Sequence, residues 1–188
     1  MDQKYQLLQK HFGYTRFREG QEPVIDALLA GRDALAIMPT GAGKSLCYQI
    51  PALCLEGTAL VISPLISLMQ DQVEGLRQAG VAAACLNSAL DDRDYRETLR
   101  EVAAGRCKLL YIAPERLEAP GFLSIAARLR FSLVAVDEAH CVSQCGQDFR
   151  PSYMRIQEFS AALPRRPVVG AFTATATPEV RRDIVEKL

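Results

Sequence analysis

Two short strings hold the residues whose types and spacing could do chemistry: "PTGAGKS", from Pro39 to Ser45, and "VDEAH", from Val136 to His140. In the first, Lys44 is a mobile point charge suited to the β- and γ-phosphates of a nucleotide, and the Ser45 hydroxyl suits Mg²⁺. Thr40, Gly41, Ala42 and Gly43 form the turn before them. Gly41 and Gly43 admit positive φ, so the backbone N–H groups of residues 41–45 can close around phosphate oxygens. A helix starting at this point would add the positive end of its dipole. The pattern G-x-x-x-x-G-K-[ST] is met except at its first position, where Met38 stands. In the second string Asp137 would hold the metal, while Glu138 would orient and deprotonate an attacking water. A Gly-rich helix cap or a solvated acidic turn explains either string alone. Together they make two halves of one nucleotide site.

Such a site needs elements that bring its halves together. Short apolar, β-rich runs recur at residues 34–38, 59–63, 83–86, 108–113, 132–137 and 168–172, with helical patterns between them. This alternation predicts βαβ units: an α/β fold with a mostly parallel sheet and helices on both faces. "ALAIM" then delivers the chain into the phosphate turn, and "SLVAV" places Asp137 and Glu138 at a C-terminal strand end, where open α/β sheets bind ligands. A helix is expected over residues 64–79, with Ser63 as cap, Pro64 in first position and Gly80 as stop. Its apolar stripe is Leu65, Leu68, Met69, Val73 and Leu76. Residues 91–105 read as a charged, solvated helix with Asp92/Arg96 and Arg93/Glu97 one turn apart. Thr177 and Pro178 open a last helix bearing Val180, Ile184 and Leu188 on one side.

Length and composition bound the rest. The 188 residues suit one domain, and 49% apolar content is enough for a core. No apolar run approaches a membrane span and no signal-peptide pattern opens the chain, so a cytoplasmic protein without a membrane partner is expected. Net charge is zero, which argues against non-specific polycation behaviour but leaves room for locally placed cations on nucleic acid. Of six cysteines, Cys47, Cys54, Cys85 and Cys107 lie in apolar or helical surroundings. His140, Cys141 and Cys145 have a metal-like spacing but lack a second ligand pair, so zinc is not expected.

The strings "MPTGAGKS", "VISPLISLMQDQV", "YIAPERL", "VDEAHCVSQ", "DFRPSY" and "FTATAT" stand in the order of the superfamily 2 helicase motifs. With the upstream "HFGYTRFREGQ", the chain resembles RecQ-type DNA helicases over essentially its whole length, and in particular their first RecA-like, P-loop NTPase domain. The resemblance implies ATP and Mg²⁺ as cofactors, single-stranded and duplex DNA as partners, and roles in DNA repair and recombination. It implies a helical prelude at about residues 1–31 in which Tyr14 stacks on adenine while Arg18 and Gln21 contact the nucleotide. An aromatic face, a guanidinium and a carboxamide suit a purine, and Gln21 can pair with adenine N6 and N7. Phe17 is expected to pack instead. Thr173 and Thr175 match the motif linking turnover to strand movement, with hydroxyls directed toward the acidic pair. Ser63, Ser67 and Arg116 lie in segments resembling those that touch single-stranded DNA, where they suit phosphates.

"CVSQCGQDFRPSY", from Cys141 to Tyr153, matches the family's aromatic-rich loop, which senses DNA. Phe149 and Tyr153 offer faces for bases and Arg150 a cation for phosphate or stacking. Cys145 stands where the family commonly has Trp, and Gln147 where it has His. The first removes the largest stacking surface and the second a titratable ring. The resemblance also implies a second RecA-like domain with an arginine finger, beyond these 188 residues, so the chain by itself is expected to be a monomer with little turnover. A non-translocating ATP-binding regulator and a DEAD-box-like RNA remodeller would share the phosphate site. "DEAH" and "FGYTRFREGQ" speak against the second.

Overall fold

The computed structural model describes residues 2–188. In chain order the elements are α1 (Gln3–Phe12), α2 (Gln21–Leu29), β1 (Ala34–Ile37), α3 (Lys44–Cys54), β2 (Thr58–Ile62), α4 (Ile66–Gln78), β3 (Ala83–Leu86), α5 (Asp92–Ala103), β4 (Leu109–Ile112), α6 (Pro120–Ala126), β5 (Phe131–Val136), α7 (Arg155–Ala162), β6 (Val168–Thr173) and α8 (Pro178–Lys187), with short 3-10 turns at Pro114–Glu118, Ala139–Val142 and Pro151–Met154. The six strands form one sheet in the order β1-β6-β5-β2-β4-β3. Every pairing is parallel.

Alternation along each strand builds two cores. On one face Leu60, Ile62, Leu110, Ile112, Val134 and Val136 meet Leu99, Phe122, Phe159 and Ile184, which come from α5, α6, α7 and α8. On the other, Ala59, Val61, Leu109, Tyr111, Leu133 and Ala135 meet Leu28, Tyr48 and Met69, from α2, α3 and α4. α1 lies outside that layer, where Leu8 packs on Ile25 and Ile50. All strand C-termini therefore share one end of the sheet, and the helices leave from it.

The strand expectations hold to within a residue, but α4 is a correction. It begins at Ile66, and its cap position, Leu65, has an extended backbone and no side-chain capping bond. Ser63 N–H donates to the Ile112 carbonyl, which continues the sheet for one residue and delays the helix. Leu65 is consequently 45% exposed, outside the apolar stripe, whereas Met69, Val73 and Leu76 are buried. α5 is capped by Asp91, whose carboxylate accepts from Asp94 N–H. The ion pair at its end joins Arg106 to Glu101, not the two pairs expected within the helix. α8 opens as expected: Thr177 accepts from Val180 N–H, and Val180 and Ile184 are buried. Among the described residues, no helix is long and apolar enough to cross a membrane.

Candidate nucleotide site

β1 hands the chain to the phosphate turn without needing glycine at its end. Met38 N–H donates to the Thr173 carbonyl, extending the pairing with β6. Its side chain is buried, with the sulfur 3.8 Å from Cys47 Sγ on α3. Ordinary φ at Met38 explains the departure from the motif, since among the described residues only Glu138 and glycines have positive φ. Gly41 and Gly43 do, at 83° and 82°. A Cβ on Gly43 would lie 2.3 Å from Gln21 Nε2, so the close approach as well as the φ requires glycine. Gly43 caps α3, which places Lys44 and Ser45 in its first turn. One of the five backbone donors expected to be free is used internally, since Ala42 N–H donates to the Pro39 carbonyl.

The acidic pair arrives from β5, two strands away. Asp137 N–H donates to the Ile62 carbonyl, and Asp137 Oδ1 accepts from Glu138 N–H at 3.0 Å. Glu138 sits at φ 49°, in the left-handed region, an unfavourable conformation for a side chain with a Cβ. It is held there from several sides: its carbonyl accepts from Cys141 N–H, and its carboxylate lies 3.3 Å from His140 Nδ1. Burial first, and then the neighbouring Glu138 charge, raise the Asp137 pKa above the usual carboxylate value. Lys44, Ser45, Asp137 and Glu138 line one cavity of about 320 Å³, together with Thr40, Gly41, Gly43 and Ser63.

His140 ties this pair to β6. Thr173 Oγ1 donates to the Thr175 carbonyl at 3.0 Å and lies 2.9 Å from His140 Nδ1. A hydroxyl has one proton to give, so His140 Nδ1 carries the hydrogen and Thr173 accepts. Thr173 thus meets the acidic motif through its histidine and not at the carboxylates, while Thr175 is exposed.

Four other expected site residues need correction. Gln21 is 1% exposed, with Oε1 accepting from Arg18 N–H and Nε2 donating to the Gly43 carbonyl. Its amide splints the prelude to the phosphate turn and does not present the two-point edge expected for adenine. Arg18 Nη1 also donates to this turn, at the Gly41 carbonyl. Tyr153 is 0% exposed, and its hydroxyl donates to the Asp137 carbonyl at 2.8 Å. No face remains for a base; the ring is an anchor beneath the carboxylates. Ser63 is buried and lines the nucleotide cavity, so its hydroxyl is not open to a phosphate at the surface. The Arg116 guanidinium lies over the Tyr95 ring and reaches the Asn87 carbonyl at 3.4 Å, so it is partly engaged.

The remaining residues are accessible to different degrees. Tyr14 is 51% exposed and lines a second cavity of about 260 Å³ with Arg18, Gln21, Gly43 and Ser45, contiguous with the first through the last two. Phe17 packs against Tyr5, with ring centroids 5.0 Å apart. Ser67, Cys145 and Gln147 are exposed, and Phe149 and Arg150 half-buried. Sequence reasoning missed Ser143, which donates to Asp183 on α8 at 2.6 Å and so fastens the aromatic loop to the last helix. The buried Lys4, bonded to Glu22 and Asp26, was missed as well. No sequence signal joins residues so far apart.

Sequence and structure comparisons give the family and the fold. The family described as DEAD/DEAH box helicase matches residues 18–184. The chain is 52% identical over 183 residues to an ATP-dependent DNA helicase RecQ of Bacillus subtilis, covering 97% of this chain and 31% of that protein. Identity is 49% to the RecQ of Pasteurella multocida, covering 97% and 29%. The chain thus spans roughly a third of the length of these relatives. Among solved structures, a hypothetical ATP-dependent RNA helicase from Sulfolobus tokodaii superposes with TM-score 0.77 at 23% identity, over 100% of this chain and 55% of the other. The helicase MrfA, bound to DNA and AMPPNP, also gives TM-score 0.77, at 17% identity, over 100% and 28%. These two likenesses concern the fold.

Proposed function

The chain belongs to the DEAD/DEAH box helicase family, and on that premise we propose that it is the ATP-binding and carboxylate-bearing part of an ATP-dependent DNA helicase of RecQ type. The observation that carries this reading is the convergence of Lys44, Ser45, Asp137 and Glu138 on one cavity at the C-terminal end of the sheet. ATP use goes with the family. The Ser45 hydroxyl and the Asp137 carboxylate bring hard oxygens to the cavity, and Asp137 forms no ion pair among the described residues, a set that fits Mg²⁺ shared with substrate phosphates. Bound Mg²⁺ would neutralise charge on the β- and γ-oxygens.

The chain's own residues do the rest. Gly41 and Gly43 let the turn approach the phosphates, Lys44 reaches their terminal oxygens, and Ser45 and Asp137 would hold the metal. Glu138 takes the proton of the water that attacks the γ-phosphorus, as the bond from that phosphorus to the β,γ-bridging oxygen breaks. Tyr14 covers the base, while Arg18 and Gln21 keep the turn in register with the prelude. DNA meets the same end of the sheet through Ser67, Phe149 and Arg150, with Gln147 and Cys145 beside them. The buried Tyr153 carries the loop's position to Asp137 through its hydrogen bond. A second RecA-like domain would complete the catalytic set, so turnover by this chain alone is slow.

Calorimetric titration of Mg-ADP into wild type and Lys44→Ala tests the reading. Saturable binding to wild type, weakened at least about 10-fold in the variant, is expected from loss of a charged phosphate contact in a half-open site. Equal affinity would overturn the assignment.

A further inference from the structure

Ser63 is 2% exposed, and its Oγ makes no hydrogen bond among the described residues. A hydroxyl so placed normally has a partner, because burial without one costs free energy. Its direction follows from the sheet. Ile62 pairs with Val136 in register, and both point into the core beneath α5–α8. Ser63 stays extended through its N–H bond to the Ile112 carbonyl, and Asp137 N–H donates to the Ile62 carbonyl. The next residues, Ser63 and Asp137, therefore point to the opposite face, side by side at the ~4.8 Å strand spacing. That face opens on the cavity that Lys44 and Ser45 enter from α3. The cavity carries the polar groups of Lys44, Ser45, Asp137 and Glu138 and, at about 320 Å³, is roomy enough for water between Ser63 and Asp137.

We infer that Ser63 is a positioning residue of the nucleotide site: its hydroxyl donates to a water shared with the Asp137 carboxylate, which fixes the orientation in which Asp137 meets the metal. This rests on the nucleotide reading above and adds to it a residue that sequence assigns to DNA. Of the four buried side-chain hydroxyls without a partner among the described residues, on Ser63, Tyr95, Ser132 and Ser160, only that of Ser63 belongs to a residue lining the nucleotide cavity. Groups that orient a metal-binding carboxylate are held to the same geometric demand as the carboxylate itself.

The test is the Mg²⁺ dependence of ADP binding by the 188-residue chain, by calorimetry, in Ser63→Ala, Ser63→Cys and Asp137→Asn. Loss of one hydrogen bond predicts that the half-saturating Mg²⁺ concentration rises about 3- to 10-fold in both Ser63 variants, with ADP affinity in EDTA unchanged. The nucleotide-free melting temperature of Ser63→Ala should be equal to or above wild type, since no protein bond is lost. Affinity for a single-stranded oligonucleotide should not change. An unaltered Mg²⁺ requirement beside a raised one in Asp137→Asn overturns the inference and leaves the nucleotide reading standing. So does a fall in melting temperature, which would mean a structural partner, or weakened oligonucleotide binding with normal Mg²⁺ dependence. No Mg²⁺ effect in wild type, or none from Asp137→Asn, removes the nucleotide reading and the inference with it.

Discussion

Asp33 and Asp137 lie at opposite ends of the same parallel sheet and are treated in opposite ways. Asp33, just before β1, forms a two-point contact with Arg166 at 3.2 and 2.8 Å and accepts from Val169 N–H at 2.8 Å. Burial works against its charge, but Arg166 and the backbone donor outweigh it, and the Asp33 pKa falls below the usual value. Asp137 is more deeply placed, forms no ion pair among the described residues, and stands beside a second carboxylate; its pKa rises, with Lys44 and His140 offsetting only part of the effect. The Asp33 carboxylate is answered on both oxygens, although the buried Ser132 hydroxyl at the same end of the sheet has no partner among the described residues. Around Asp137 lie a strained Glu138 and an unanswered Ser63 hydroxyl. The same residue type stabilises one end of the fold and is held at a cost at the other, where a ligand would supply what the protein does not. A strained glutamate beside a carboxylate with a raised pKa, both lining one cavity, marks that pole as the working one.

The largest effect should come from the working pole. With a second RecA-like domain supplied, Glu138→Gln should lower ATP hydrolysis about 10²- to 10⁴-fold, as expected for a lost general base, while the melting temperature changes little. Intact steady-state ATPase in that variant would place proton handling elsewhere. Next, Tyr153→Phe removes the donor to the Asp137 carbonyl and leaves that acceptor unsatisfied, which should cost about 1–2 kcal/mol by denaturant unfolding. An unchanged midpoint would mean that Tyr153 does not anchor the pair. The smallest effect belongs to Asp33→Asn: at most about 1 kcal/mol, because the contact is half exposed and screened. Its pH dependence has a definite sign. Asp33 has a lowered folded pKa, so its contribution is present above the ordinary value of 3.8 and disappears as pH falls through the folded value. Wild type and variant should therefore differ in melting temperature at pH 7 and converge in acid; a gap that widens in acid would contradict the assignment.

The strands were legible because β-rich apolar runs a few residues long, set between helical patterns, have few other readings. The phosphate turn and the acidic pair were legible because their chemistry fixes residue type and spacing. What failed was direction. A tyrosine beside Phe149 and Arg150 reads as a stacking surface, and only the fold turns Tyr153 inward to Asp137. Gln21 is polar and looks available, yet its partner Gly43 O lies twenty-two residues away. Ser63 followed by proline reads as a helix cap, but its N–H still belongs to the sheet. Local pattern gives the element, and tertiary hydrogen bonds decide which way a side chain faces and where an element starts.

The contrast between the two aspartates is tested most directly by one set of thermal melts: wild type, Asp33→Asn and Asp137→Asn, each without ligand and with Mg-ADP, at pH 7.5. Without ligand, Asp137→Asn should melt at or above wild type, because the amide keeps the bond from Glu138 N–H and removes a buried charge beside another carboxylate. Asp33→Asn should melt below it. With Mg-ADP, wild type and Asp33→Asn should rise together by ligand linkage, and Asp137→Asn should rise least. A ligand-free Asp137→Asn that melts below wild type yet gains the full Mg-ADP shift would contradict the account, since Asp137 would then be a structural carboxylate and the working pole would lie elsewhere.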